Sequence, residues 1–582
     1  MSTAIKGYLK VGTVDDLAKR GCTVVTGEGH TIAVFYHQDQ VYAVDNRCPH
    51  MGFPLARGTV KDGILTCHWH HARFDLCSGG TFDPFADDVR TFPVTVSDGE
   101  VWVRPVPPAR DETAHWSTRL REGMEHDIRL VIAKPVLGLE VSGSDYRTPL
   151  NIGAQFVTTY SVEGWGAAMS ILTSMANILP QLAEEDRPRA LYQGLMHVSL
   201  ECAGKPARFA MEPLPVTETG LDLYKPWFRN FIEVRDSDGA ERCLRSAIET
   251  GLPPDQIADM VFAAATDHIY LDGGHTMDFA TKAFELLDHI GWEHAGHVLT
   301  SLVPGMAFAR RSQELNSWRH PVDIASMVWE ARAELPELYE QGQRAKVLWD
   351  DENGLVEVIL RDDPAGTLDA IKEAIGSGAT GEALGSAVAH AAFLRMARFH
   401  TSNEFGDWDT VHNTLTAANA LHQALKRAPS IELIRAVFDT SMSIYLDRFL
   451  NTQAQRMPET AGGHSDTEPL LSRTLDSMDV QQQVEQVADL VSTYLTGGGE
   501  PEKLLATLGH AMLREDAGFH SFQIVDAGFR QYLERWGTEA GRHILIGMAR
   551  FLAAHSPTSR AVGQTYQIAL RLHRGEEIFR DS

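Results

Sequence analysis

Cys48-Pro49-His50, then sixteen residues, then Cys67-His68-Trp69-His70: this stretch decides how the first part of the chain must fold. It offers two thiols and two imidazoles in two short groups, and a metal centre can use all four only if two separate loops are brought face to face. Gly52 and Pro54 shape the first loop, and Phe74, Asp75, Gly79 and Gly80 follow the second. Zinc accepts two Cys and two His, but zinc modules of that composition usually run Cys, Cys, His, His. Here the order alternates Cys, His, Cys, His, which suits a two-iron cluster with thiolates on one iron and imidazoles on the other.

With these residues in place, about the first 105 residues resemble the Rieske [2Fe–2S] domain family. The resemblance implies a small all-β domain with Cys48, His50, Cys67 and His70 as cluster ligands. Respiratory-type members carry an additional Cys in each cluster loop, joined as a disulfide. Here the first loop continues Met51-Gly52-Phe53 with no Cys, so the match is closer to Rieske ferredoxins, nitrite reductase small subunits and oxygenase Rieske domains. Such clusters carry single electrons. Neutral imidazole donors place their potential above that of all-Cys clusters, and hydrogen bonds to the sulfurs tune it further.

Composition bounds the remainder. A chain of 582 residues holds two to four domains, and 43% apolar with 22% charged residues is ordinary for a soluble globular protein. A formal charge of −26 argues against nucleic-acid partners and anionic membrane surfaces. Six cysteines are too few for a disulfide framework; beyond the cluster pair, Cys22, Cys77, Cys202 and Cys243 are expected as free core thiols in a reducing cytoplasm. The N-terminus has no apolar signal core, and no run approaches the roughly 18 apolar residues of a membrane span. A cytoplasmic location follows as an expectation.

Residues 1–105 read as short strands: Thr31–Tyr36, Gln40–Val44 and Val101–Val106 alternate or are β-branched, with Gly and Asp turns between them. Val106-Pro107-Pro108-Ala109-Arg110-Asp111-Glu112 is stiff and polar and marks the expected boundary. Residues 106–155 form a connecting segment with strand character at Ile128–Ile132. From 156 to 582 Ala, Leu, Met and Arg recur at three- and four-residue spacing, as in Met169–Leu179, which predicts an all-α domain. Met457–Glu468 reads as an exposed loop.

The helical part contains a repeat of helix pairs. His268-Ile-Tyr-Leu, a break at Asp272-Gly-Gly, and His275 open the first. His390 to Arg395, a break containing Glu404 to Asp409, and His412 form the second. His510 to Arg514, a break at Glu515-Asp-Ala-Gly518, and His520 form the third. A degenerate fourth copy runs from Gly164-Trp165 to His197. In each copy an acidic or Gly-rich break could cap the next helix near its His, and pseudo-symmetric packing would bring His268, His275, His390, His412, His510 and His520 to one metal-binding cavity. Taken singly, each His is more often a cap or a satisfied core group.

Residues 150–570 resemble the questin oxidase-like family through His275 and its helix, Trp408-Asp-Thr-Val-His412 with Thr416 and Ala420-Leu421, and the closing His520 helix. The resemblance implies a helical, O2-dependent oxygenase of polycyclic aromatic polyketides with histidine-bound non-haem iron. Family members often have a lysine three positions after the last His; here Gln523 stands there. Lys282, seven residues after His275, is either a substitute on the same helix face or a surface lysine.

Other groupings are weaker. Glu293-His294-Ala-Gly-His297 shares a helix face but lacks the zinc-protease order, and no second Glu-x-x-His of the di-iron kind accompanies it. Asp272-Gly-Gly-His275 and Asp409-Thr-Val-His412 lack the second His of the usual Rieske-oxygenase iron site. Arg395, Arg398 and Arg514 could neutralise an anionic substrate or pair within the protein. No dinucleotide fingerprint appears, so an external ferredoxin or NAD(P)H-dependent reductase is expected as the electron donor. Joined, the halves predict a multidomain protein in which a small all-β Rieske domain precedes a large all-α domain of repeated helix pairs. The expected function is a Rieske-coupled non-haem iron oxygenase acting with O2 on a small organic, aromatic substrate. The Pro-rich segment would permit transfer between chains of a homo-oligomer. The rivals are an electron-transfer protein whose helices form a docking scaffold, and a redox-sensing hydrolase or isomerase using His as acid or base.

Overall fold

The computed structural model describes residues 5–215, 220–271, 275–346, 349–451, 453–459, 466–576 and 578. The chain divides into two compact units, residues 1–152 with 564–582, and residues 153–563. In the first unit the strands are β1 (Leu9–Thr13), β2 (Cys22–Gly27), β3 (His30–His37), β4 (Gln40–Asp45), β5 (Thr59–Lys61), β6 (Ile64–Thr66), β7 (Arg73–Asp75), β8 (Val94–Ser97) and β9 (Glu100–Val103). They form three antiparallel sheets ordered β1-β9-β8, β2-β3-β4 and β5-β6-β7. Period-two alternation explains the layering. On β3, Ile32 and Val34 join a core with Leu17, Phe92, Val101 and Val103. Ala33 and Phe35 face the other way, into a core that holds Leu55, Leu65, Phe74 and both Cys48 and Cys67.

The boundary expected at 106–112 does not end this unit. Asp111 caps a helix by accepting from the Ala114 amide, and α1 (Glu112–Glu125) and α2 (Arg129–Val141) pack against each other as a hairpin. The strand expected at Ile128–Ile132 is therefore the start of α2. β-Branched Val131 and Ile132 favour strand locally, but every residue from Val131 to Leu139 is buried, and tertiary packing overrides that preference. Glycines allow the close approach: a Cβ on Gly123 would lie 2.9 Å from the Val131 backbone, and one on Gly138 would lie 2.4 Å from the Trp116 ring. Residues 564–582 also belong here, not to the helical domain. Leu572 lies beside Gly52, and the Glu576 carbonyl accepts from Arg47.

Among its described residues the second unit consists of helices joined by loops, with no strand. Its centre is a closed ring of four helices, Ala167–Ile178, His275–Ile290, Phe405–Arg427 and Phe519–Glu534, each packed on the next. Three of them carry His275, His412 and His520, and the first lies in the degenerate fourth copy. Pro254–Ala265, Gly381–Ala397 and Pro501–Leu513 pack outside, each against its successor in the repeat. His390 and His510 lie on those outer helices, whereas His268 follows the end of one. A capping box between Glu404 and Asp407 starts the His412 helix as expected. Gly518 starts the His520 helix without a side-chain cap; Glu515 instead accepts from Thr558 and Arg560. The Asp272–Gly274 break and residues 460–465, half of the loop expected at 457–468, lie outside the described residues. Among the described residues no helix is long and apolar enough to cross a membrane.

Candidate functional site

Two loops of the first unit face each other. One follows β4 and is closed by Gly52 N–H donating to the Cys48 carbonyl (2.8 Å), with Gly52 at φ +85°, a conformation suited to glycine. The other joins β6 to β7 and is closed by Cys67 N–H donating to the Ala72 carbonyl (2.9 Å). Both cysteines are buried, and their thiols are within hydrogen-bonding reach of each other. That contact, with burial, pushes the Cys48 thiol up, and the same contact draws the Cys67 thiol down. The amides of His50 and Met51 point at the Cys48 sulfur, and those of Trp69 and His70 at the Cys67 sulfur.

His50 and His70 meet edge to face with ring centroids 4.8 Å apart. Burial, followed by the Lys134 cation, lowers His50 to about 4 and holds it neutral, as a metal ligand must be. Its Nδ1 is buried with no hydrogen-bond partner, so the chain leaves a lone pair free at the point where a metal would bind. Two sulfurs and two ring nitrogens fit a [2Fe–2S] cluster, which Cys48, Cys67, His50 and His70 would hold. His70 is exposed and His50 half-buried against Phe85. Of the other thiols, Cys22, Cys202 and Cys243 are at least partly buried as expected, but Cys77 is exposed.

In the helical unit the six histidines separate into two groups. His412 is fully buried, and its ring centroid lies 4.6 Å from that of His520. Burial, then the neighbouring His520, His275 and His555, lowers His412 well below the usual value. His275 packs on Phe279 and Phe519 at the same end of the ring. The other three lie elsewhere. His268 Nδ1 bonds to Gln313 (2.9 Å) with Nε2 near Glu233 (3.2 Å), His390 stacks on His543, and His510 pairs with Asp186 (2.8 Å). The expected gathering of six imidazoles does not form, because the outer helices of the repeat turn their histidines toward other partners.

Two residues beside His412 and His520 had no assigned role from sequence. Asp409 accepts from His520 Nδ1 (2.7 Å). His555 donates from Nδ1 to the Phe551 carbonyl (2.8 Å), which leaves its buried Nε2 as a free lone pair 4.0 Å from Asp409. Asp409 was visible three residues before His412, but His555 has no counterpart in the other copies. Both ring nitrogens of His412, Nδ1 of His275 and Nε2 of His555 are buried without hydrogen-bond partners. These free nitrogens suit a metal's demand for neutral imidazole, although among the described residues no three His, Cys, Asp or Glu side chains already converge on one point.

Cavities open on both sides of this cluster. One of about 310 Å³ is lined by Trp165, Tyr270, His275, Phe279, Met306 and Arg310. Another of about 320 Å³ is lined by Phe405, Asp409, Phe519, His520 and His555. Gln523 donates to Asp278, which lies 3.9 Å from His275 Nδ1. Lys282 reaches none of these groups and is not on the surface. Its ammonium is buried between Glu285 (2.9 Å) and Asp526, with Asn177 donating to both carboxylates. Arg395 and Arg514 are engaged with protein carbonyls, which accounts for them structurally.

Two buried thiols facing two imidazoles across a pair of loops define the first unit as an iron–sulfur electron carrier. Comparison with known proteins fixes the family: residues 7–93 match the Rieske [2Fe–2S] domain, and through them the chain belongs to that family. The ferredoxin component of naphthalene 1,2-dioxygenase/salicylate 5-hydroxylase systems from Ralstonia sp is 26% identical over 100 residues, covering 17% of this chain and 96% of the relative. The ferredoxin subunit of 3-phenylpropionate/cinnamic acid dioxygenase from Photorhabdus laumondii is 33% identical over 97 residues, 16% of this chain and 91% of that protein. Among solved structures, the ferredoxin of carbazole 1,9a-dioxygenase from Nocardioides aromaticivorans is 29% identical, with 17% of this chain and all of that one covered at a TM-score of 0.17. The Rieske domain is thus homologous to ferredoxin components of oxygenase systems.

Proposed function

We propose that the protein is an oxygenase component in which the Rieske domain supplies electrons to a non-haem iron site in the helical unit, where an aromatic substrate is oxidised by O2. The observation that carries the reading is His412, fully buried with both ring nitrogens unpartnered, beside His520, His275 and His555. A buried polar atom without a partner costs about 1–3 kcal/mol, and an ion held by these rings would remove that cost. His412, His520 and His275 would be its ligands, with His555 as a further donor and Asp409 orienting His520. His268, His390 and His510 are not in this set.

A bound [2Fe–2S] cluster supplies one-electron storage, and a bound iron supplies affinity for O2. Hydroxylation balances with one O2, two electrons and two protons giving the hydroxylated product and one water. The electrons come from an external ferredoxin or NAD(P)H-dependent reductase, docking at the exposed His70 edge. The aromatic cavity beside His275 would seat a flat apolar substrate, with Arg310 toward any anionic group.

The test is iron content of the full-length protein after anaerobic iron(II) loading. Iron above two per chain, lost in His412→Ala and His520→Ala while cluster absorbance stays unchanged, supports the proposal. Two irons per chain in wild type and both variants would overturn it. The electron-carrier reading, favoured by the near-complete coverage of small ferredoxin relatives, would then stand.

A further inference from the structure

The helical hairpin after the Rieske strands touches the cluster loop through one cation. Lys134, on α2 and only 7% exposed, donates to the carbonyls of Pro49 and His50 (3.0 Å to His50) and to Asp87 (3.3 Å). An ammonium has three protons, and these three acceptors use all of them. Asp87 is itself buried and shared with Arg119 on α1, whose Nε lies 3.1 Å away; Arg119 also donates to the Pro84 and Ala86 carbonyls. Burial alone would raise the Asp87 carboxyl, but Lys134 and Arg119 hold it below the ordinary carboxylate range. A fixed positive charge therefore sits against the backbone of a cluster ligand, with little water to screen it.

Alignments of 97 and 100 residues account for 91% and 96% of two ferredoxin relatives, which leaves neither room for a further hairpin of this length. The hairpin is an addition of this chain to the electron-carrier fold. Reducing a cluster adds one negative charge, which a nearby cation stabilises and a nearby carboxylate opposes.

We propose that Lys134 is a positioning residue that raises the reduction potential of the Rieske cluster by holding its ammonium on the Pro49 and His50 carbonyls, with Asp87 as the moderating counter-charge. This rests on the Rieske domain and not on the role of the helical unit, so the two stand or fall separately. The test is the midpoint potential of the full-length holoprotein, followed by electron paramagnetic resonance during redox titration, in wild type, Lys134→Met and Asp87→Asn. Lys134→Met removes the charge while Arg119 still pairs Asp87. Its one-electron equilibrium is expected to shift about tenfold toward the oxidised form, equivalent to about 59 mV. Asp87→Asn is expected to shift it the opposite way. Unchanged potentials, shifts of the same sign, or cluster loss in both variants would each overturn the proposal and make Lys134 a packing brace only.

Discussion

The two histidine-bearing sites of this molecule are built by opposite means. In the first unit the four candidate ligands come from 23 consecutive residues, on two loops tied down by their own backbone hydrogen bonds. In the helical unit His275, His412 and His520 are spread over 246 residues and meet only because four helices close into a ring. The local site depends on covalent spacing and short turns, whereas the distributed one depends on global packing. The comparison teaches where each site is vulnerable: the first to loss of a ligand, the second to any change that loosens the ring.

The largest expected effect tests the local half. Cys67→Ser should abolish the cluster's visible absorbance and its paramagnetic signal outright, with the far-ultraviolet dichroism of the helices unchanged. Concurrent loss of helical signal would show that the units are not independent in this sense. The matching change in the ring is Lys282→Met. It strips the cation from buried Glu285 and Asp526, leaving Asn177 and the partly exposed Arg530 as their partners. Breaking a buried pair in this way costs about 3–5 kcal/mol, read as a lower midpoint in denaturant titrations of the helical signal. A loss under 1 kcal/mol would mean that Arg530 and Asn177 suffice.

The same contrast explains what could be read from the chain. The Cys48 to His70 ligands and the β-sheets were legible because spacing and alternation are local properties. The helix at Arg129–Val141 was not, because a segment buried on nearly all faces shows no period, and Val131 and Ile132 favour strand. The repeat did locate His275, His412 and His520 on three helices of the ring, since each begins or enters one. It misdirected at His268, His390 and His510 because recurrence cannot tell which face of a helix turns inward. His555 was invisible for the complementary reason: it is a single residue just past a helix end, without a repeat mate. The fate of Lys282 depended on Asp526, 244 residues away, which no local pattern encodes.

Asp409→Asn tests whether the distributed site has the supporting shell that metal centres require. Asp409 fixes the His520 ring through Nδ1, leaving Nε2 free. Replacing an orienting carboxylate typically costs 10–100-fold in metal affinity. A 10–100-fold rise in the iron(II) dissociation constant is expected, with the cluster spectrum unchanged. Equal affinity in wild type and variant would remove Asp409 from the site.

The smallest effect is a slope, and it separates the outer histidines from the inner ones. Burial, then Arg535, His543 and Arg398, lowers His390 to about 3 from the ordinary 6.5. Between these values the unfolded chain binds a proton at this position and the folded chain does not. Stability gained from a neutral His390 is therefore complete above pH 6.5 and falls as pH drops toward 3, by at most about 1.4 kcal/mol per pH unit. His390→Gln keeps a polar group near His543 but cannot titrate. Denaturant titrations of the iron-free protein at pH 6.5 and 5.5 should therefore lose less stability in the variant than in wild type, by up to that amount. Equal losses would mean that His390 takes up its proton in the folded protein, so that the stacked pair with His543 is open to water and not a sealed part of the helix packing.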